Sequence, residues 1–156
     1  MTEETPSTKY KLPWTLIFVL FTLIGIAGLT GLRTNQTCPF HVNHNNKRQC
    51  IVLDRAATPV KRQQGLSGVN GILPSQGMLF VFDQPEVACM WMKDMKFSLD
   101  MIWLDTDKRI TKIAENVSPE TYPKSFCANQ PSKYVIEVNA GVAKQADLKL
   151  SQQLKL

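Results

Sequence analysis

The sequence predicts a mainly β domain, a small antiparallel sandwich or barrel-like body with one or two short helices, carried behind a single N-terminal transmembrane helix. Three observations lead there. Six apolar or alternating runs of strand length follow one another, each bounded by Gly, Pro, Asp, Asn or Ser. Only two short stretches carry helix signals, which favours antiparallel β structure over a parallel α/β sheet. Ahead of them all lies one uncharged apolar run, residues 14–32.

Length and composition bound the reading. The chain has 156 residues, enough for one ordinary core besides an anchoring segment and too few for two cores. Hydrophobic types at 44% and charged types at 20% match a folded soluble body, which excludes both intrinsic disorder and a polytopic membrane protein. The net charge of +5 is not gathered into any basic block. Aromatics, at 8%, are not interleaved with basic residues, so no nucleic-acid partner is expected.

The run WTLIFVLFTLIGIAGLTGL would extend about 28 Å as a helix, close to the thickness of bilayer hydrocarbon. Lys9 and Lys11 precede it and only Arg33 follows closely. The positive-inside rule therefore places residues 1–13 in the cytoplasm and everything after the helix outside, a single-pass signal anchor. A cleaved signal peptide competes, but the apolar stretch exceeds the usual length and no small-x-small cleavage site follows it.

Residues 33–48 are polar and Asn-rich and are expected to be a stalk, leaving residues 49–156 as the extracytoplasmic domain. Strands are expected at 50–57, 78–82, 87–92, 99–105, 110–117 and 134–140. MLFVF, apolar on both faces, is expected to be central, and the poorly alternating ITKIAENV to carry a bulge. Leu99, Met101 and Trp103 share a face opposite Asp100, Ile102 and Leu104; Tyr134, Ile136 and Val138 share one opposite Val135, Glu137 and Asn139. One helix is expected over 58–66, with Thr58 as its N-cap and Pro59 in its first position, and a second over 141–146.

All four cysteines, Cys38, Cys50, Cys89 and Cys127, fall on the outer side of the expected membrane helix, where disulfides form. Three connectivities exist, and sequential pairing is the simplest of them. Two metal readings compete: a structural zinc on Cys38, His41, His44 and Cys50, and copper(I) on the soft ligands of CMWMKDM. The first spacing matches no zinc-finger pattern, and closely spaced methionines commonly fill cores, so neither a metal nor any other cofactor is expected.

Asp94, Asp100 and Glu137 are acidic groups embedded in apolar segments, with Lys93 beside the first. Such carboxylates suit acid/base work or ligand binding when burial separates their pKa values; alternatively, Asp94 and Asp100 only cap local backbone around the KFS turn. Templates for serine hydrolases, zincins, dinucleotide binding and P-loops are absent.

The ordered motifs QQGLSG (63–68), GMLFVF (77–82), CMWMKDM (89–95), SLDMIWLD (98–105) and YVIEVNAG (134–141) resemble the family known as domain of unknown function 192. The resemblance covers about residues 50–150. It implies a compact, mainly β domain, often exported or membrane-anchored, with no established activity. Cys89 and Cys127 resemble a cysteine-bearing branch of that family, which supports their pairing with each other. Two departures stand out: Asp94 replaces the family's usual amide, and Ser151 and Gln152 stand where a Gly-Asp pair is expected.

The favoured reading is a small-ligand-binding or accessory envelope module rather than an enzyme, its pocket lined by Trp91, Lys93, Asp94, Asp100 and Glu137. A Lys beside an aromatic suits a small anionic or sugar-like ligand. The alternatives are a hydrolase using Asp94, Asp100 or Glu137 as acid and base, and a structural domain whose strand edges recruit another envelope protein.

Overall fold

The computed structural model describes residues 38–44 and 47–156. The expected cytoplasmic tail and membrane helix, residues 1–32, lie outside the described residues. Among the described residues no helix is long and apolar enough to cross a membrane.

The chain order is β1 (His41–His44), β2 (Lys47–Cys50), β3 (Val52–Ala56), α1 (Pro59–Gln64), β4 (Gln76–Glu86), β5 (Cys89–Trp91), β6 (Leu99–Leu104), β7 (Ile110–Val117), a 3-10 turn (Pro119–Thr121), β8 (Ser125–Cys127), β9 (Ser132–Asn139) and α2 (Val142–Gln145). The class is mainly β, as the strand-sized runs predict. Five strands form one sheet in the order β3-β4-β9-β6-β7, and two ribbons, β1-β2 and β5-β8, stand apart from it.

The sheet is neither closed nor wholly antiparallel, which corrects the expected antiparallel sandwich or barrel: β3 and β4 run parallel. The physical reason is α1. A parallel neighbour needs a crossover rather than a hairpin, and the segment carrying this helix supplies it. Thr58 caps the helix by accepting the N–H of Lys61 at 3.2 Å, Pro59 opens it, and Gly65 ends it at φ 48°.

Both faces of the sheet are covered, so β6 is buried at every position. On one face Ile102, Leu104, Ile136 and Val138 pack with Phe40, Val42 and α2. On the other, Leu99, Met101, Trp103 and Val135 pack with Phe80, Met92 and Leu66. The period-two alternation read from β6 and β9 is therefore the alternation between two cores. The expected bulge is present: the β6–β7 register shifts twice.

The folded body reaches further toward the N-terminus than the boundary expected at residue 49. Part of the expected stalk is the β1-β2 hairpin, with Phe40 and Val42 buried in the first core. Polar residues, His41 and Asn43, alternate with these two apolar ones, and only the hairpin's docking reveals which side is buried.

The two disulfides are Cys38–Cys50 and Cys89–Cys127, the sequential pairing. Cys38 and Cys50 therefore offer no thiolates to zinc, nor Cys89 one to copper. Cys89 and Cys127 face each other directly across the β5-β8 ribbon, 38 residues apart in sequence. Replacing both with serine is expected to cost about 3 to 4 kcal/mol through the freedom regained by the unfolded chain. Urea unfolding of the double variant beside the parent measures it, and a loss under about 1 kcal/mol would contradict the staple's role.

Candidate functional site

The segment after β4 turns polar residues outward around a buried methionine. Trp91 ends β5 with 52% of its surface exposed, whereas the next residue, Met92, is buried in the second core. A turn follows, closed by the Met95 N–H donating to the Met92 carbonyl at 3.2 Å. Asp94 sits in this turn at φ 56°. Asn and Asp are the side chains that tolerate this left-handed conformation best, so Asp94 in place of the family's amide leaves the turn intact. Ser151 likewise takes a φ of 65°, where the expected glycine would be at ease.

The loop after α1 is fastened onto this turn. Ser67 Oγ donates to the Lys93 carbonyl at 2.9 Å, and the Gly68 N–H donates to the Asp94 carbonyl at 2.9 Å. Gln64 Nε2 donates to the Ser67 carbonyl at 2.9 Å, which fixes the loop from its own side. Between loop and turn lies an outer cleft of about 540 Å³, lined among others by Gln63, Gln64, Ser67, Trp91, Lys93 and Asp94. Lys93 and Asp94 are both exposed, and neither forms an ion pair among the described residues.

Gln63, Gln64, Ser67 and Trp91 also line an inner pocket of about 120 Å³, whose acidic member is Glu137. Strand β9 delivers Glu137 to this face, and β4 lies close against it because position 77 is glycine. A Cβ there would stand 2.6 Å from the Glu137 backbone oxygen. Glu137 as a residue is only 4% exposed. Burial pushes its carboxyl up from an ordinary value of 4.5 to about 8, with no charged partner or hydrogen bond among the described residues to offset the desolvation. Arg62, which lines the same pocket, is committed elsewhere: Nη1 donates to the carbonyls of Ala57 at 2.7 Å and Val81 at 2.8 Å, and Nη2 meets Asp83 at 3.3 Å.

The structure thus gathers four of the five expected site residues, Trp91, Lys93, Asp94 and Glu137, around two cavities that share a wall. Asp100 is the exception and does not belong with them. It is fully buried, its two oxygens accept the N–H groups of Asn116 and Ala143 at 2.8 Å each, and it lies on the opposite face of the sheet from Glu137. Register explains the separation: Glu137 pairs with Met101, so its side chain shares a face with Met101, and Asp100 points the other way. Asp100 ties β7 and α2 to β6 and lines neither cavity.

Sequence reasoning missed Gln63, Gln64 and Ser67 as site residues. The motif QQGLSG holds them, and its signal was a short polar helix end broken by two glycines. Nothing local in that signal points to a partner segment 26 residues away.

The family model for DUF192, described as "Uncharacterized ACR", matches residues 40–156. A protein of unknown function from Novosphingobium aromaticivorans DSM 12444 has a similar crystal structure, with a TM-score of 0.67 and 26% identity, over 76% of this chain and 84% of that one. A protein from Sinorhizobium meliloti 1021, described as a candidate transcription regulator, is similar with a TM-score of 0.66 and 29% identity, over 74% and 89% of the two chains. No curated protein matches.

Proposed function

The chain belongs to the DUF192 family, described only as uncharacterised, and we propose from the site itself that its body binds a small sugar-like ligand in the paired cavities between α1 and the turn after β5. The same reading places this body outside a membrane, held by residues 14–32 with the N-terminus in the cytoplasm. The uncharged run, the Lys9 and Lys11 flank and two disulfides support that placement.

One observation carries the binding reading: a half-exposed indole, Trp91, stands at the wall shared by both cavities. The exposed indole offers a flat apolar face within the cleft, beside the exposed Val60, and such a face suits the apolar face of a sugar ring. Around it the Gln63 and Gln64 amides, the Ser67 oxygen, Asp94 and Lys93 supply donors and acceptors for hydroxyl groups.

The test is a thermal-shift screen of neutral saccharides and sugar phosphates on the purified chain. At a ligand concentration of about 100 times Kd the folded state should gain about 2.7 kcal/mol. Trp91→Ala should abolish the shift, and Lys93→Ala should weaken it while leaving unliganded stability within about 0.5 kcal/mol of the parent. A full shift retained by Trp91→Ala would remove the cleft from consideration.

A second reading, hydrolysis, draws on Glu137 alone. A carboxyl raised to about 8 is suited to general acid catalysis near neutral pH, with Asp94 in the adjoining cleft as the companion base. Release of product from a bound saccharide, abolished by Glu137→Gln, would favour it over simple binding.

A further inference from the structure

The inner pocket is chemically narrower than the outer cleft. Its volume of about 120 Å³ is several times what one water requires. Phe80, Met90 and Met95 form apolar wall, and Glu137 is the one carboxyl lining it. On either side of Glu137 in the sheet stand Met78 and Met101, so its strand neighbours offer the carboxyl nothing polar.

Arg62 is held by two carbonyls and Asp83. The remaining charges nearby line other openings: Asp54, Arg55 and Lys61 a cleft beside Met78, and Lys93 and Asp94 the outer cleft. Glu137 is 4% exposed and its carboxyl opens to the pocket without a hydrogen bond among the described residues, so burial favours the protonated form up to about pH 8, and that form presents an O–H donor. Gln63, Gln64 and Ser67 are shared with the outer cleft, so beside Phe80, Met90 and Met95 the Glu137 O–H is best matched by an acceptor oxygen attached to a small apolar group.

We infer that the inner pocket is an acetamido subsite: Glu137 donates to the carbonyl oxygen of an N-acetyl group on the sugar in the outer cleft, and the acetyl methyl packs against Phe80, Met90 and Met95. This rests on the sugar-binding reading of the outer cleft. Gln63, Gln64, Ser67 and Trp91 line both cavities, so one ligand reaches from the first into the second. A 2-acetamido sugar carries the required pieces side by side: a ring for the indole, hydroxyls for the amides, and a methyl and a carbonyl for the recess.

The experiment measures dissociation constants of N-acetylglucosamine and glucose for the full chain in detergent by titration calorimetry, from about pH 6 to pH 10. N-acetylglucosamine should bind at least about tenfold tighter than glucose at the acid end, the worth of one hydrogen bond to a buried donor. That preference should shrink as the carboxyl ionises near pH 8. Glu137→Gln keeps a donor of similar shape and cannot titrate, so the preference should persist across the whole range. Glu137→Ala should bind both sugars with the affinity the parent has for glucose. Equal binding of the two sugars by the parent, with both still dependent on Trp91, would overturn the subsite and leave the outer cleft standing. A preference that does not change with pH in the parent would also overturn it. Binding of neither sugar would fail the outer cleft and take the subsite with it.

Discussion

Asp100→Ala is expected to destabilise the body by about 3 to 5 kcal/mol and to leave ligand affinity at the cleft unchanged. The carboxylate is fully buried and satisfies two backbone donors, the N–H groups of Asn116 and Ala143, both at 2.8 Å. Alanine would leave both donors buried without a partner, and each such loss costs about 1 to 3 kcal/mol. Because Asn116 belongs to β7 and Ala143 to α2, the change also loosens two elements from the central β6 strand. Asp100→Asn should cost roughly half as much, since one acceptor oxygen survives while the new amide N–H₂ faces the other donor. Urea unfolding gives the stability and sugar titration gives the affinity. Lost binding with stability changed by less than about 1 kcal/mol would return Asp100 to the site and remove it from the scaffold.

Stability is expected to fall as pH rises from about 4.5 to about 8, the window set by Glu137 in the unfolded and folded states. Within that window the folded protein keeps a proton that the unfolded chain has released. Each pH unit then costs about 1.4 kcal/mol, and the whole window on the order of 4 to 5 kcal/mol. Below it both states are protonated at this position, and above it both are ionised, so the contribution is flat on either side. Other groups titrate over part of the same range, which makes the difference between the parent and Glu137→Gln the informative quantity. That difference should shift in favour of the variant as pH rises through the window, read from urea midpoints at each pH. Parallel curves for the two proteins would mean that the carboxyl ionises normally, and would leave the inner pocket with an ordinary anionic floor.

How much was legible in the sequence depends on the distance over which each feature is decided. The faces of β6 and β9 follow from residue alternation, and the start of α1 from Thr58 and Pro59, because these are settled within a few residues. The sequential disulfides were the simplest of three pairings, and the resemblance to the cysteine-bearing branch supported the second. The parallel β3–β4 pair was not legible, since it depends on where the chain returns after a loop bearing only one short helix. Nor was it legible that Phe40 and Val42 belong to the core, because two apolar residues in a polar stretch signal burial only once a docking surface exists.

The candidate site divides along the same line. Trp91, Lys93 and Asp94 are neighbours in one segment and were found together. Asp100 and Glu137 looked equivalent as acids in apolar strands, and only the register that pairs Glu137 with Met101 puts them on opposite faces. Alternation within each strand was correct; the pairing between strands was the missing fact. Gln63, Gln64 and Ser67 join the candidate site because the Ser67 hydroxyl and the Gly68 N–H bond their segment to the carbonyls of the distant Lys93–Asp94 turn, which no local pattern announces.

The central claim is that ligand binds between α1 and the turn after β5, against Trp91. Its most direct test is nuclear magnetic resonance of the isotopically labelled chain titrated with N-acetylglucosamine. The indole of Trp103 provides an internal reference: it is fully buried, and its Nε1–H donates to the Ala88 carbonyl at 2.9 Å. The account predicts that the Trp91 indole, the side-chain amides of Gln63 and Gln64 and the amide of Ser67 shift together and saturate with one dissociation constant, while the Trp103 indole stays still. Shifts gathered instead on the opposite face, around Phe40, Val42 and α2, with the Trp91 indole unmoved at saturation, would contradict it.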